Sequence, residues 1–364
     1  MIRQDVDALA AMRRDSAGPG ERASAEWCAG RLREAGASDV RIEPFSYQGT
    51  FGHVHALHFA MATLGRIWAA TALLAFLLDY SGRAQPLRAL LPAGEGANVI
   101  ARLPAAGERS STIVLLAHHD AARTGLVWHP WLAPPARPDG VTPFSLLPEL
   151  AMAAIAFGPR RLRTPARALL ASVAALSLEV ARGETVPGAN DNASGVAAVL
   201  GLAERFVAER PDGMEVTVVL CGAEESGMGG AAAWLRGARP DLDPATTLVL
   251  GLDTLASGEP MLASSEGPLL WPVRYRENDL ALAENAARGA GLSPPRRFRV
   301  GGWTDPALAT HAGLRSLSIL SLRGNSFNDY HRPTDVPANV DWKSIEDCAS
   351  LAEATAREFA GVVA

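Results

Sequence analysis

Apolar positions along the chain fall into two patterns. Short, nearly continuous runs rich in β-branched residues occupy 40–46, 97–103 ("NVIARL"), 112–117 ("TIVLLA"), 215–221 ("EVTVVLC"), 247–252 ("TLVLGL") and 316–320. Runs with so little polar alternation predict strands buried on both faces of a sheet. Between them, apolar residues recur at helical spacing over 21–35, 194–209, 228–237, 278–289 and 343–361. Strand and helix therefore alternate, which predicts an α/β sheet covered by helices.

Two stretches break this rhythm. Residues 51–96 hold the run "ALHFAMATLGRIWAATALLAFLL", and 123–186 hold two more, around "LLPELAMAAIAF" and "ALLASVAALSL". Without them about 250 residues remain, a comfortable α/β domain. The expectation is one catalytic domain over 1–364 with two apolar helical insertions, the second a hairpin or lid. The first run is long enough to span a bilayer, but Arg66 sits at its centre, which is costly in lipid. A crossing there would also separate 1–50 from 97–122, two parts of the same domain. "GPRRLRTPAR" places Arg160, Arg161, Arg163 and Arg167 between two apolar helices, so peripheral membrane contact stays open. A protein-packed lid or a contact between copies of the chain is the favoured reading.

Composition narrows the class. A net charge of −5 argues against a nucleic-acid partner, which calls for a basic face. Cys28, Cys221 and Cys348 lie far apart and match no metal or redox spacing, so a reducing compartment is expected. The first twenty residues carry acids early and no long apolar stretch, unlike a secretory signal. The cytoplasm is the expected location, with membrane association left open.

The chemistry-bearing residues cluster at the ends of the predicted strands. "LLAHHDAART" ends one with His118, His119 and Asp120; residues i and i+2 share a face, so Asp120 lies beside His118 while His119 points away. "GANDNASG" sets Asp191 between two asparagines immediately before a helix, where turn chemistry or a helix cap is the plain alternative. "GAEES" places Glu224 and Glu225 side by side, an arrangement that a cation would compensate and that a helix N-terminus also favours. "LVLGLDTLAS" puts Asp253 at the end of an apolar strand, and "FNDYHRPTDVPANVD" carries His331 in a loop. Alone, the last two are weak; together, all five occupy the carboxyl ends where ligands gather in open α/β sheets.

In this order the motifs resemble the co-catalytic zinc aminopeptidase family, which includes bacterial leucyl aminopeptidases, glutamate carboxypeptidase II-like enzymes and glutaminyl cyclases. The resemblance covers most of 20–50, 97–122 and 186–361. It implies a mostly parallel mixed central sheet flanked by helices and two zinc ions per chain. His118 and Asp253 would bind one ion, Glu225 and His331 the other, and Asp191 would bridge them. Asp120 would orient His118, and Glu224 would be the general base that takes a proton from the metal-activated water. The stretch "GGWTDPALATHAGLRSLSI" is similar to the family's Ser-Asp-His segment, but Thr304, Asp305 and Pro306 stand there. Asp305 is left with a supporting role or a helix cap at Thr304 or Asp305.

His53, His55 and His58 have metal-like spacing without an acid to complete a site, and are expected to be solvated or interfacial. Trp128, Trp131 and Trp303 are candidates for an apolar substrate wall or for plain core. The resemblance implies an aminopeptidase acting on small peptides. A glutaminyl-cyclase-like acyl transferase and a non-catalytic membrane-surface protein on the same fold are the alternatives.

Overall fold

From its amino terminus the chain runs through α1 (Ile2–Ala10), α2 (Pro19–Glu34), β1 (Ser38–Tyr47), α3 (Gly52–Thr63), α4 (Arg66–Tyr80), β2 (Gly94–Leu103) and β3 (Ala106–His118). It continues with α5 (Leu147–Phe157), α6 (Arg160–Arg182), α7 (Ser194–Ala208), β4 (Asp212–Cys221), α8 (Gly229–Ala238) and β5 (Thr247–Leu252). The last third holds β6 (Glu259–Glu266), β7 (Val273–Arg274), α9 (Glu277–Gly289), β8 (Arg296–Arg299), α10 (Pro306–His311), β9 (Arg315–Leu322) and α11 (Trp342–Val363). The structure, a computed structural model, describes residues 1–142 and 145–363; Pro143 and Phe144 of the second insertion lie outside them.

Nine strands among the described residues form one sheet in the order β1-β2-β4-β3-β5-β9-β6-β7, with β8 beside β6. Its centre is parallel: β3 pairs in parallel with β4 on one side and β5 on the other, and β5 with β9. Antiparallel pairs close both margins, β1 with β2, β2 with β4, and β6 with β9. The fold is thus the expected mixed α/β sheet flanked by helices. Because the next two strands, β4 and β5, lie on opposite sides of β3, strand order reverses at the carboxyl end of β3, and ligands gather at such a point.

Alternation along each strand sorts side chains into two layers. Ile113 and Leu115 of β3 face a large core shared with α2, α7 and α11, whereas Val114 and Leu116 face a smaller one built on Trp234 and Leu235 of α8 and Leu308 of α10. The apolar runs read as continuous because both faces are covered.

The two apolar segments differ from expectation in detail. The run across 56–78 is broken at Leu64 and Gly65 into α3 and α4, so Arg66 begins a helix instead of interrupting one. The basic stretch expected between two short helices is the opening of one 23-residue helix, α6. Pro165 lies inside it and forfeits only the bond to the carbonyl of Arg161, an exposed residue. All four helices then pack on one another through Phe59, Ala69, Phe76, Met152, Ile155 and Leu170. His58 is fully buried there, its Nδ1 2.7 Å from the Val54 carbonyl, and His55 lies among Phe51, Phe59 and Phe76. Burial lowers the pKa of both imidazoles; His58 belongs to the bundle interior and is not solvated, whereas His55 is half-buried at its edge. Only His53 is exposed.

Candidate metal centre

β3, β4 and β5 each deliver a site residue at or just past the carboxyl end. β3 stops at His118, whose Nδ1 lies 3.3 Å from Asp120 Oδ1. Asp120 in turn accepts from Ser16 Oγ at 2.7 Å and from the backbone N–H groups of Glu224 and Glu225 at 3.1 and 3.2 Å. One carboxylate therefore fixes the ring of His118 and the loop after β4 together. His119 points the other way, as alternation requires, between Ser24 Oγ and the Ala97 carbonyl at 2.7 and 2.8 Å.

The corner at 188–192 is set by buried polar partners. Gly188 has φ +61°, and a Cβ there would run into Asp191 O and the guanidinium of Arg14. Arg14, fully buried, donates to the carbonyls of His119, Asp120, Pro187 and Gly188. Asn192 bonds Leu252 O and accepts from the N–H groups of Gly195 and Thr254, which holds α7 against the end of β5. The Asp191–Asn192 peptide is cis. Ala223, Thr254 and His331, each at or beside a site residue, have positive φ without being glycine, at a cost of roughly 1–2 kcal/mol apiece.

Asp191 ends up between the two imidazoles. Its Oδ1 is 3.2 Å from His118 Nε2 and its Oδ2 is 3.2 Å from His331 Nε2. Asp253 Oδ1 lies 3.7 Å from the same His118 nitrogen, and Glu225 Oε2 lies 3.1 Å from the same His331 nitrogen. Glu224 Oε2 stands back at 3.9 Å from His118. The ligand atoms of His118, Asp191 and Asp253 fall within 4.8 Å of one another, and so do those of Asp191, Glu225 and His331. His118, Glu224 and Glu225 meet the same limit.

So many buried acids repel one another. Burial, reinforced by neighbouring carboxylates, pushes Glu224 well above the usual range and Glu225 up to about 7. Burial disfavours charge on His118, but Asp253, Glu224, Asp120 and Asp191 outweigh it and raise its pKa strongly. His331 is likewise carried to about 10 by Glu225 and Asp191 against burial. Asp191 moves the other way: burial is overcome by its contacts to both histidines. Cations between these groups would offset that repulsion, and Glu225 Oε1 is buried without a hydrogen-bond partner. Mixed imidazole and carboxylate donors suit zinc.

Asp305 is buried at the start of α10, with both carboxyl oxygens unbonded and its pKa raised to about 7, chiefly by burial. Neither it nor Thr304 caps the helix through its side chain: Thr304 Oγ1 donates to Glu266 at 2.8 Å. Trp128 stands edge-on to His331 at 4.3 Å between ring centroids, Trp303 packs against Tyr80 at 5.7 Å, and Trp131 is 85 % exposed. Arg14, Ser16, Asp335 and Glu266 carry no recognisable motif. Asp335, which accepts the N–H groups of Asn190 and Asp191, could have been noticed only as an acid four residues beyond His331.

The profile of peptidase family M28 matches residues 170–356, just over half of the chain. The chain belongs to peptidase family M28 and is a metallopeptidase, and the family implies zinc as its metal. The match includes Asp191, Glu224, Glu225, Asp253 and His331; His118 and Asp120 precede it and join them through the fold. The fold is shared with an aminopeptidase from Aneurinibacillus sp. strain AM-1, at a TM-score of 0.60 and 14 % identity over 97 % of this chain and 92 % of that one. It is also shared with a zinc aminopeptidase from Bacillus subtilis (TM-score 0.59, 15 % identity, 97 % and 93 % covered). A glutaminyl cyclase from Fimbriiglobus ruber is equally similar (0.59, 15 %, 98 % and 94 %). A comparison with curated proteins gives no match.

Proposed function

We propose that the chain is a two-zinc aminopeptidase that releases the N-terminal residue of small peptides. The observation that carries this reading is the single carboxylate of Asp191 between two imidazoles, each with its own further acid. His118 and Asp253 would hold one ion and Glu225 and His331 the other, with Asp191 common to both. Zinc bound there supplies Lewis acidity towards water and the scissile carbonyl. Glu224, 3.9 Å from His118, takes the proton of the attacking water and returns it to the departing amine as the C–N bond breaks. Asp120 is a positioning residue that fixes the His118 ring. Trp128, beside His331, supports a preference for short peptides with an apolar first residue. Three unpaired, buried cysteines support a reducing compartment such as the cytoplasm.

The test is metal content per chain, measured alongside product analysis on a panel of aminoacyl amides and glutaminyl peptides. Two zincs with release of free amino acids are expected. Ammonia from glutaminyl peptides without free amino acid would instead make it a cyclase. No metal and no turnover of either substrate would leave a scaffold.

A further inference from the structure

The hairpins α3–α4 and α5–α6 turn at the same end of the helical bundle. Arg66 Nε donates to Ala156 O at 2.9 Å, and Arg167 Nε donates to Thr63 O at 3.0 Å, so each turn is tied to the other hairpin. Around these turns large apolar side chains face solvent: Leu64 is 68 % exposed, Ile67 82 %, Trp68 51 % and Phe157 70 %. Beside them Arg160 and Arg161 are exposed as well. Neither 52–78 nor 150–178 contains an aspartate or glutamate, although the chain as a whole is acidic.

Exposed apolar groups next to uncompensated guanidinium groups select one kind of partner. A second copy meeting this tip about a two-fold axis would bring arginine towards arginine. An anionic bilayer matches both features, because the apolar side chains enter the acyl boundary while the arginines reach headgroup phosphates and Trp68 sits at the interface. We propose that this end of the bundle docks shallowly on an anionic lipid surface. Docking, not spanning, follows from the helices themselves. At 12 and 15 residues, α3 and α4 are shorter than the roughly 20 residues a crossing needs. Only α6 is long and apolar enough among the described residues; most of its apolar stretch is exposed, but it opens on arginines, and Ala166, Leu170, Ser177 and Val180 hold one side of it against the rest of the protein. The far end of α6 leads directly to the 188–192 corner. By the length of α6, docking would hold the site up to ~35 Å from the headgroups, in water.

The test is sedimentation of the full chain with phosphatidylcholine vesicles, with and without phosphatidylglycerol, at low and high salt. Binding is expected only with phosphatidylglycerol and should weaken as salt rises. Replacing Arg160 or Arg161 by Gln should lower the partition coefficient roughly fivefold each (~1 kcal/mol per arginine). Ile67→Ser with Phe157→Ser should lower it further, with an unchanged circular dichroism melt. In the wild-type chain, brominated lipid should quench a fluorescence component that Trp68→Phe removes. Equal binding to both vesicles, no binding to either, or no effect of these variants would overturn the proposal. So would a salt-resistant dimer abolished by Ile67→Ser, which makes the tip a contact between copies, or resistance of the native membrane fraction to alkaline extraction, which makes it a span.

Discussion

Asp335 Oδ2 accepts the backbone N–H of Asp191 at 3.0 Å. Its other oxygen accepts the N–H of Asn190 at 2.7 Å, so the loop that supplies His331 also sets the aim of the carboxylate facing it. Asp335→Ala leaves two buried donors without partners and frees the corner. Zinc affinity is expected to fall about tenfold or more, as when groups that orient metal ligands are lost. Chelator competition measures this, and unchanged affinity would show that Asp335 serves stability alone.

Glu224 and Glu225 are neighbours with different surroundings, and conservative replacement separates them. Glu224→Gln should keep both metals and the substrate KM while kcat falls roughly 10²–10⁴-fold. Glu225→Gln should lose an ion, because its carboxylate is the one 3.1 Å from His331. Metal analysis of the two proteins side by side distinguishes the roles. Equal metal loss in both would place Glu224 among the ligands.

Arg14 joins the loop after β3 to the corner before α7 through four carbonyls. Arg14→Met strands those acceptors in a buried place, and a loss of roughly 1–3 kcal/mol of stability is expected from leaving buried acceptors unsatisfied. Urea unfolding measures it. A loss under 1 kcal/mol would mean that water replaces the guanidinium without penalty.

Trp128 forms a wall beside His331 and Tyr330. Trp128→Ala should raise KM about tenfold for substrates with a leucyl or phenylalanyl N-terminus, and much less for alanyl ones, since an apolar contact of this size discriminates by about 1–3 kcal/mol. An equal effect on all substrates would assign Trp128 to holding His331.

Glu266 lies in a closed polar cluster with Thr304, Tyr275 and Ser318. Burial, against those hydrogen bonds, raises its pKa to about 7 from an ordinary value of 4.5. Below the lower value the folded and unfolded chains both carry the proton. Between the two values only the fold retains it, so stability falls as pH rises through this window and levels off above about 7. Glu266→Gln should remove up to about 3 kcal/mol of that slope. Denaturation of both proteins at pH 5 and pH 8 checks it, and parallel curves would refute it.

The strands at the centre of the sheet were legible because burial on both faces leaves a continuous apolar run, as in the wholly buried β5. β6, β7 and β8 were not, since "EPMLASSE" and "RRFR" at the margin mix exposed polar and charged residues with few apolar ones. The opening of α6 reads as a link between two helices because Pro165 and four arginines resemble a break; here the carbonyl that Pro165 leaves without a partner belongs to exposed Arg161, which water can reach. At the site, motif order brought out the residues that end strands. Arg14, Ser16 and Glu21 escaped, because the partners that tie them to the site lie more than 70 residues away and no local pattern announces them. Glu21 shows why this matters: it accepts from the N–H groups of Ala17, Ala97 and Ala223, fastening three segments under the site.

The helical bundle is assembled from two separate lengths of chain, and synthesis makes them at different times. α3 and α4 are complete roughly 70 residues before α5 begins, so at about 5–20 residues per second the first hairpin waits several seconds for its partner. Until then Phe59, Ala69 and Phe76 have only one another to pack against, and the faces that Met152, Ile155 and Leu170 later cover stay open. Nascent chains stalled before residue 147 are therefore expected to hold a chaperone that chains stalled well beyond residue 182, with α6 clear of the ribosome, release.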